Sequence, residues 1–208
     1  MKNYEYIIAS LPDITTGWKF GEKGPEDYIE EIVSLCSDKD RKLIDFLVSG
    51  YLDENLNTDF YAKALVHDDS FIKEYFRFDL NVRNAKVAYL NHALGRAADK
   101  DVLTFPEDAP QAVLDAADAE FEEAADLESI LNTGDILSRE RGIDDLMWAK
   151  IDDITTFNYF DIDAILGFIA KLNIVARWYK LDEQTGREMF KRLVDEVRST
   201  FKGVEYNG

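Results

Sequence analysis

An all-α protein, a helical bundle of about eight helices, is what this sequence predicts, and three observations lead there. Proline occurs only at Pro12, Pro25, Pro106 and Pro110, so the last 98 residues hold none of the residue that forces a helix to stop. Apolar residues recur at helical spacing over long stretches. No segment alternates dependably between apolar and polar residues, as a half-buried strand would.

The elements follow in order. Tyr4 to Ser10 reads equally as a short strand or a first helical turn, and Pro12 ends either one. Three glycines around Trp18 and Phe20 mark residues 15–24 as a loop. Pro25 followed by Glu26 and Asp27 is a helix start, with φ preset at the first position and carboxylates at the positive end of the dipole. Ile29, Ile32, Val33 and Leu35 form its buried stripe. Ser37-Asp38 then caps a second helix, with Leu43, Ile44, Phe46, Leu47 and Val48 apolar, and Gly50 stops it.

From Asp69 to about Gly95 the apolar residues, Phe71 to Leu94, occupy more than one face, as in a helix covered by neighbours on several sides. Residues 97–109 read as a connection, and the alanine-rich acidic stretch 106–131 as one helix or two. Residues 134–158 give another helix, which Gly142 is expected to weaken or break. Asp161 caps a strongly apolar helix over 162–179, and Asp182-Glu183 opens a last one reaching about Phe201. Residues 78–96 and 161–180 share a loose likeness: long, aromatic-rich, with Asp near the start and Arg and Asn on the polar face. The chain thus reads as one domain, 1–208, whose halves 1–100 and 134–208 are joined by an acidic helical segment, 101–133.

Hydrophobic residues make up 46% and aromatics 12%, enough for a real core and far more than a disordered chain carries. Acids outnumber bases 42 to 24, and the resulting charge of -18 disfavours phosphate backbones and anionic bilayers while suiting basic protein partners. Cys36, the only cysteine, lies among Ile32, Val33 and Leu35 as a small apolar filler would. The opening residues lack the make-up of a signal peptide, and no window approaches the ~18 apolar residues of a membrane span. The expectation is a cytoplasmic, non-spanning protein.

Chemistry-bearing patterns are scarce. His67 and His92 are far apart, with no Cys-x-x-Cys, His-x-x-x-His or His-Glu-x-x-His, so both read as structural. Glu120, Glu123 and Asp126 share a helix face, but a di-iron carboxylate bundle needs Glu-x-x-His, which does not occur, and a solvated face is the better reading. Gly21 to Gly24 has neither the spacing nor the Lys-Ser/Thr ending of a phosphate loop. No catalytic, metal or cofactor-binding residue is therefore assigned, no cofactor is expected, and the chain reads as a non-enzyme.

Charge segregation is the distinctive feature. Residues 101–138 hold eleven acids and no Lys or Arg, whereas 69–100 hold six bases to four acids and 171–202 eight bases to five acids. Either an acidic helix packs beside basic ones within the monomer, or an acidic face docks a partner. The candidate partner-binding residues are Asp115, Asp118, Glu122 and Glu123 on the acidic side and Arg83, Lys86 and Arg177 on the basic side. Arg177, beside Trp178, Tyr179 and Lys180 on a mostly apolar helix, needs a carboxylate, either internal or from another protein.

The opening Tyr4-Glu-Tyr-Ile-Ile-Ala-Ser-Leu-Pro-Asp13, the run from Asp161 to Trp178, Leu181-Asp182 and Gly186-Arg-Glu-Met-Phe190 resemble a bacterial family encoded beside V/A-type ATPase genes. That family is distantly similar to the central-stalk funnel of V-type ATPases, an all-helical component that seats the rotor shaft on the membrane ring. Asp161 to Trp178 and Phe78 to Lys86 resemble two Asp-rich, Arg-Asn-containing helices of that funnel. The resemblance implies a non-catalytic accessory or central-stalk-like subunit of a bacterial V/A-type ATPase that couples the soluble ATPase sector to the membrane rotor. Its implied partners are the shaft and the membrane ring, and its implied place is peripheral to the inner membrane. The alternative is a freestanding helical adaptor or assembly factor that binds basic protein surfaces.

Overall fold

The computed structural model describes residues 4–201, with side chains described through Leu181. Helix makes up 67% of the chain, and the described residues contain no strand. Among the described residues nine α-helices follow one another: α1 (Glu5–Ser10), α2 (Pro25–Leu35), α3 (Asp38–Ser49), α4 (Thr58–Leu65), α5 (Ser70–Ala93), α6 (Gln111–Ala117), α7 (Ala124–Leu131), α8 (Ile136–Thr155) and α9 (Ile162–Phe201).

Local chemistry sets most of the starts. Pro25 opens α2, and the Asp27 carboxylate accepts the Gly24 N–H at 2.7 Å. Ser37, Asn57, Asp69, Asp135 and Asp161 each turn a side-chain oxygen back onto a backbone N–H of the first turn of α3, α4, α5, α8 and α9. The opening segment is a helix, not a strand; Pro12 lies just past its C-cap Leu11.

The fold is built around α8, which packs between α5 and α9 and runs antiparallel to both. Lys86 meets Glu140 and Lys150 lies over Phe78 on one side, while Asp144 meets Arg177 and Asp152 meets Lys171 on the other. Helix α4 covers α5, α2 and α3 cover α9, α7 lies against α5 and α8, and α6 against α4. One apolar cluster runs through all of this, from Tyr4 and Ile7 through Phe71, Phe76 and Ile151 to Ile174, and it takes in Val113, Leu127 and Leu131 of the acidic segment. Burial of that apolar surface, at about 25 cal/mol per Å², is the main force holding the helices together.

The acidic stretch, read as one helix or two, forms two short ones, α6 and α7, separated at residues 118–123. Three expectations change. Gly142 does not break α8: a Cβ there would lie 2.9 Å from Ile130 Cγ2, so the glycine is where α7 and α8 come close. Asp182 and Glu183 do not start a new helix, because α9 continues unbroken from Ile162 to Phe201. Nothing between Tyr179 and Asp182 interrupts the backbone ladder, and Gly186, at about 1 kcal/mol relative to Ala, is too weak a breaker to do so. His92 lies exposed in the last turn of α5 and not in packed surroundings. His67 is half-buried, its Nδ1 accepting the Asp69 N–H at 3.0 Å, and Cys36 is buried. The side chains beyond Leu181, with most of the basic residues counted above for 171–202 and the Gly186 to Phe190 motif, lie outside those described.

Candidate functional site

Three of the seven candidate residues converge. Arg83 and Lys86 on α5 and Arg177 on α9 line one cleft of about 410 Å³, with α8 contributing Ile143, Asp144 and Met147 and the α3–α4 connection contributing Tyr51 and Leu56. That volume lies within the range of small-molecule sites, ~300–1,000 Å³. The periodicity of α5 explains the wall: Tyr75, Asp79, Val82, Arg83 and Lys86 fall three or four residues apart and share a face.

The ions in the cleft are not alike. Arg177 Nη2 donates to Asp144 Oδ2 at 2.5 Å, and Trp178 Nε1 donates to the same oxygen. The carboxylate that Arg177 needs is therefore internal. Asp144 keeps only 7% of its side-chain surface, while Arg177 keeps 45%. Burial pushes the Asp144 carboxyl above its ordinary value, against the pull of Arg177 and Trp178. Lys86 Nζ donates to Glu140 at 2.9 Å, and the Trp178 ring carries the Arg141 guanidinium at 3.6 Å.

Asp79 is arranged differently. The Tyr61 hydroxyl donates to Asp79 Oδ2 and itself accepts from Arg83 Nε at 3.1 Å, so a phenol stands between acid and base. Burial is again the leading cause of a raised carboxyl pKa, with Tyr61, Arg83 and Lys86 opposing it. Burial also pushes the phenols of Tyr51, Tyr61 and Tyr75 far up, so all three are neutral hydrogen-bonding groups at any ordinary pH. The Tyr51 hydroxyl is fully buried and faces the Tyr75 hydroxyl.

The acidic candidates stand elsewhere. Asp115 on α6, and Asp118 and Glu122 between α6 and α7, are not in the cleft; Asp115 accepts from Gln111 Nε2 at 2.7 Å. Glu123 accepts from Lys150 of α8 at 2.8 Å, which makes it a tie within the monomer. Among the described residues, no three His, Cys, Asp or Glu side chains lie close enough together to hold a metal ion.

Sequence reasoning does not single out Tyr51, Tyr61, Asp79, Glu140 or Asp144. Asp79 lies inside the Phe78 to Lys86 motif, but its importance comes from a tyrosine 18 residues earlier, across a helix boundary.

The two ends of the bundle differ in chemistry. At one end the α8–α9 connection leaves Phe157 88% exposed with Tyr159 and Phe160 also outward, and the Tyr4 N–H donates to the Phe160 carbonyl, which brings α1 and the 80% exposed Tyr6 alongside. Next along the chain, partial burial, with Asp69 and Asp161 close by, pushes Asp163 up to about 6. At the other end Leu90 of α5, Leu94 at its C-cap, and Ile136 and Leu137 of α8 are exposed, with Arg96, Lys100, Asp99, Asp101 and Asp135 also outward. No described helix is long and apolar enough to cross a membrane.

Comparison with curated proteins and with solved structures finds no match to this chain. A family model does match, over residues 52–200, a span that holds α4 to α9 up to its penultimate residue and the whole cleft wall except Gly50 and Tyr51. The chain belongs to the family described as "Protein of unknown function (DUF2764)".

Proposed function

We propose that the protein is a non-catalytic accessory or central-stalk-like subunit of a bacterial V/A-type ATPase, joining the soluble ATPase sector to the membrane rotor. The supporting observation is the pair of unlike ends. A coupler placed between two bodies must offer each a different surface, and here an aromatic end and an aliphatic end are joined by α5, whose 24 residues span about 36 Å. Exposed aromatics and aliphatics of this size on a rigid bundle are the usual anchors of protein interfaces. The resemblance of the run from Asp161 to Trp178 to a helix of the central-stalk funnel points to the same machine, and in it the partners are the shaft and the membrane ring, met at the cytoplasmic face of the inner membrane.

Co-purification tests the reading. A tagged full chain, expressed from its own locus and recovered under gentle conditions, is expected to bring ATPase components with it in stoichiometric amount. Recovery of none of them sinks the proposal. Phe157→Ala with Tyr159→Ala is expected to release one set of neighbours and Leu94→Asp the other; loss of both sets from either change alone would show that the two ends do not act separately.

A further inference from the structure

We propose that the cleft between α5, α8 and α9 is a binding site for a free zwitterionic α-amino acid with an aliphatic side chain. Asp79 and Arg83 stand four residues apart on one helix face, the spacing at which an acid and a base ordinarily close on each other. Here they do not. The Tyr61 hydroxyl is held between them, donating to one and accepting from the other, and among the described residues no Lys or Arg nitrogen comes within 4.0 Å of the Asp79 carboxylate. The terminal nitrogens of Arg83 have no acceptor among the described residues. The result is a split ion pair, its acidic and basic parts both lining the cleft.

A split pair is complementary to a ligand whose own charges are adjacent and reversed. The ligand carboxylate takes the terminal nitrogens of Arg83 as a charge-assisted pair and the buried hydroxyl of Tyr51, whose neighbour is the Tyr75 hydroxyl. The ligand ammonium takes the Asp79 oxygen that Tyr61 leaves free. Leu56, Val82, Ile143, Met147 and Ile174 line the same cleft and receive an aliphatic side chain. The other ions are already matched, Lys86 with Glu140 and Arg177 with Asp144, so the cleft carries no surplus charge to favour a net anion or a net cation. The raised pKa of Asp79 is the mark of a buried carboxylate short of a cation. This inference does not rest on the ATPase assignment.

Isothermal titration of the purified full chain with L-leucine tests it, against isoamylamine, which lacks the carboxylate, and isocaproate, which lacks the ammonium. Leucine is expected to bind, and each singly charged analogue to bind at least roughly tenfold more weakly, the cost of a lost charge-assisted contact. Asp79→Asn and Arg83→Gln are each expected to weaken leucine by a similar factor. Tyr61→Phe is the decisive variant: it removes the wedge, lets Asp79 and Arg83 close on each other, and is expected to lose binding while its melting temperature stays within a few degrees of the parent. No heat from leucine, isoleucine or valine at millimolar concentration, equal binding of either analogue, or full affinity in a folded Tyr61→Phe protein would each overturn the proposal.

Discussion

Asp144 and Asp79 face the same cleft from neighbouring helices, each has an arginine within reach, and only one is met by it directly. Asp144 is met by an Arg177 that arrives from another helix, 33 residues along, with Trp178 locking the same oxygen. Asp79 has its arginine one turn away, yet a tyrosine from α4 separates the two. Sequence proximity therefore does not decide which charges neutralise each other; the packing of a third element does. Asp163 completes the series, with two other acids and no base among the causes of its shift. The three carboxylates run from matched, through split, to unmatched.

Breaking the matched pair should have the largest effect. Asp144→Ala strands a half-buried indole N–H and an Arg177 that can partly re-solvate, and it is expected to cost about 2 kcal/mol in urea denaturation. A loss below about 1 kcal/mol would put the pair in the class of surface ion pairs instead. Next, Tyr61→Phe loses two hydrogen bonds and regains a direct ion pair, for a net cost of about 1 kcal/mol, or a fall in Tm of a few degrees.

At the unmatched site the sign reverses. Asp163 has a folded-state pKa of about 6 against an ordinary value of 3.8, so the folded chain holds more protons than the unfolded one between those pH values. Its contribution to stability is greatest below pH ~4, falls as pH rises through 6, and is flat beyond. Asp163→Asn is expected to stabilise the protein by under about 1 kcal/mol at pH 7.5, after allowing for solvent screening, and by nothing at pH 4. Equal effects at the two pH values would show that Asp163 does not titrate between them. The smallest effect belongs to the tie between the acidic segment and α8: Glu123→Gln is expected to cost about 0.5 kcal/mol, fading at high salt.

What could be read from the sequence was local. The starts of α2, α3, α5 and α9 were visible because Pro25, Ser37, Asp69 and Asp161 act at the helix start itself or on N–H groups only three residues away. Arg177 was recognisable as needing a carboxylate, since a guanidinium on an apolar helix cannot stay unpaired, but Asp144 could not be named as that carboxylate. The Tyr61 wedge depends on α4 lying across α5, and no periodicity records that crossing. Asp182-Glu183 misled for the opposite reason: the residues have the chemistry of a helix start, but an existing helix carries on through them because nothing in its backbone stops it.

The unbroken course of α9 has a mechanical consequence. Forty residues at 1.5 Å each make a rod of about 60 Å with no proline along it. Its first half is clamped into the core by Ile165, Leu166, Ile169 and Ala170, all fully buried. In a straight rod of that length, a tilt of about 10° displaces the far tip by about 10 Å. A small repacking of α8 against α9 would therefore translate, along a continuous helix, into a larger displacement at its other extremity.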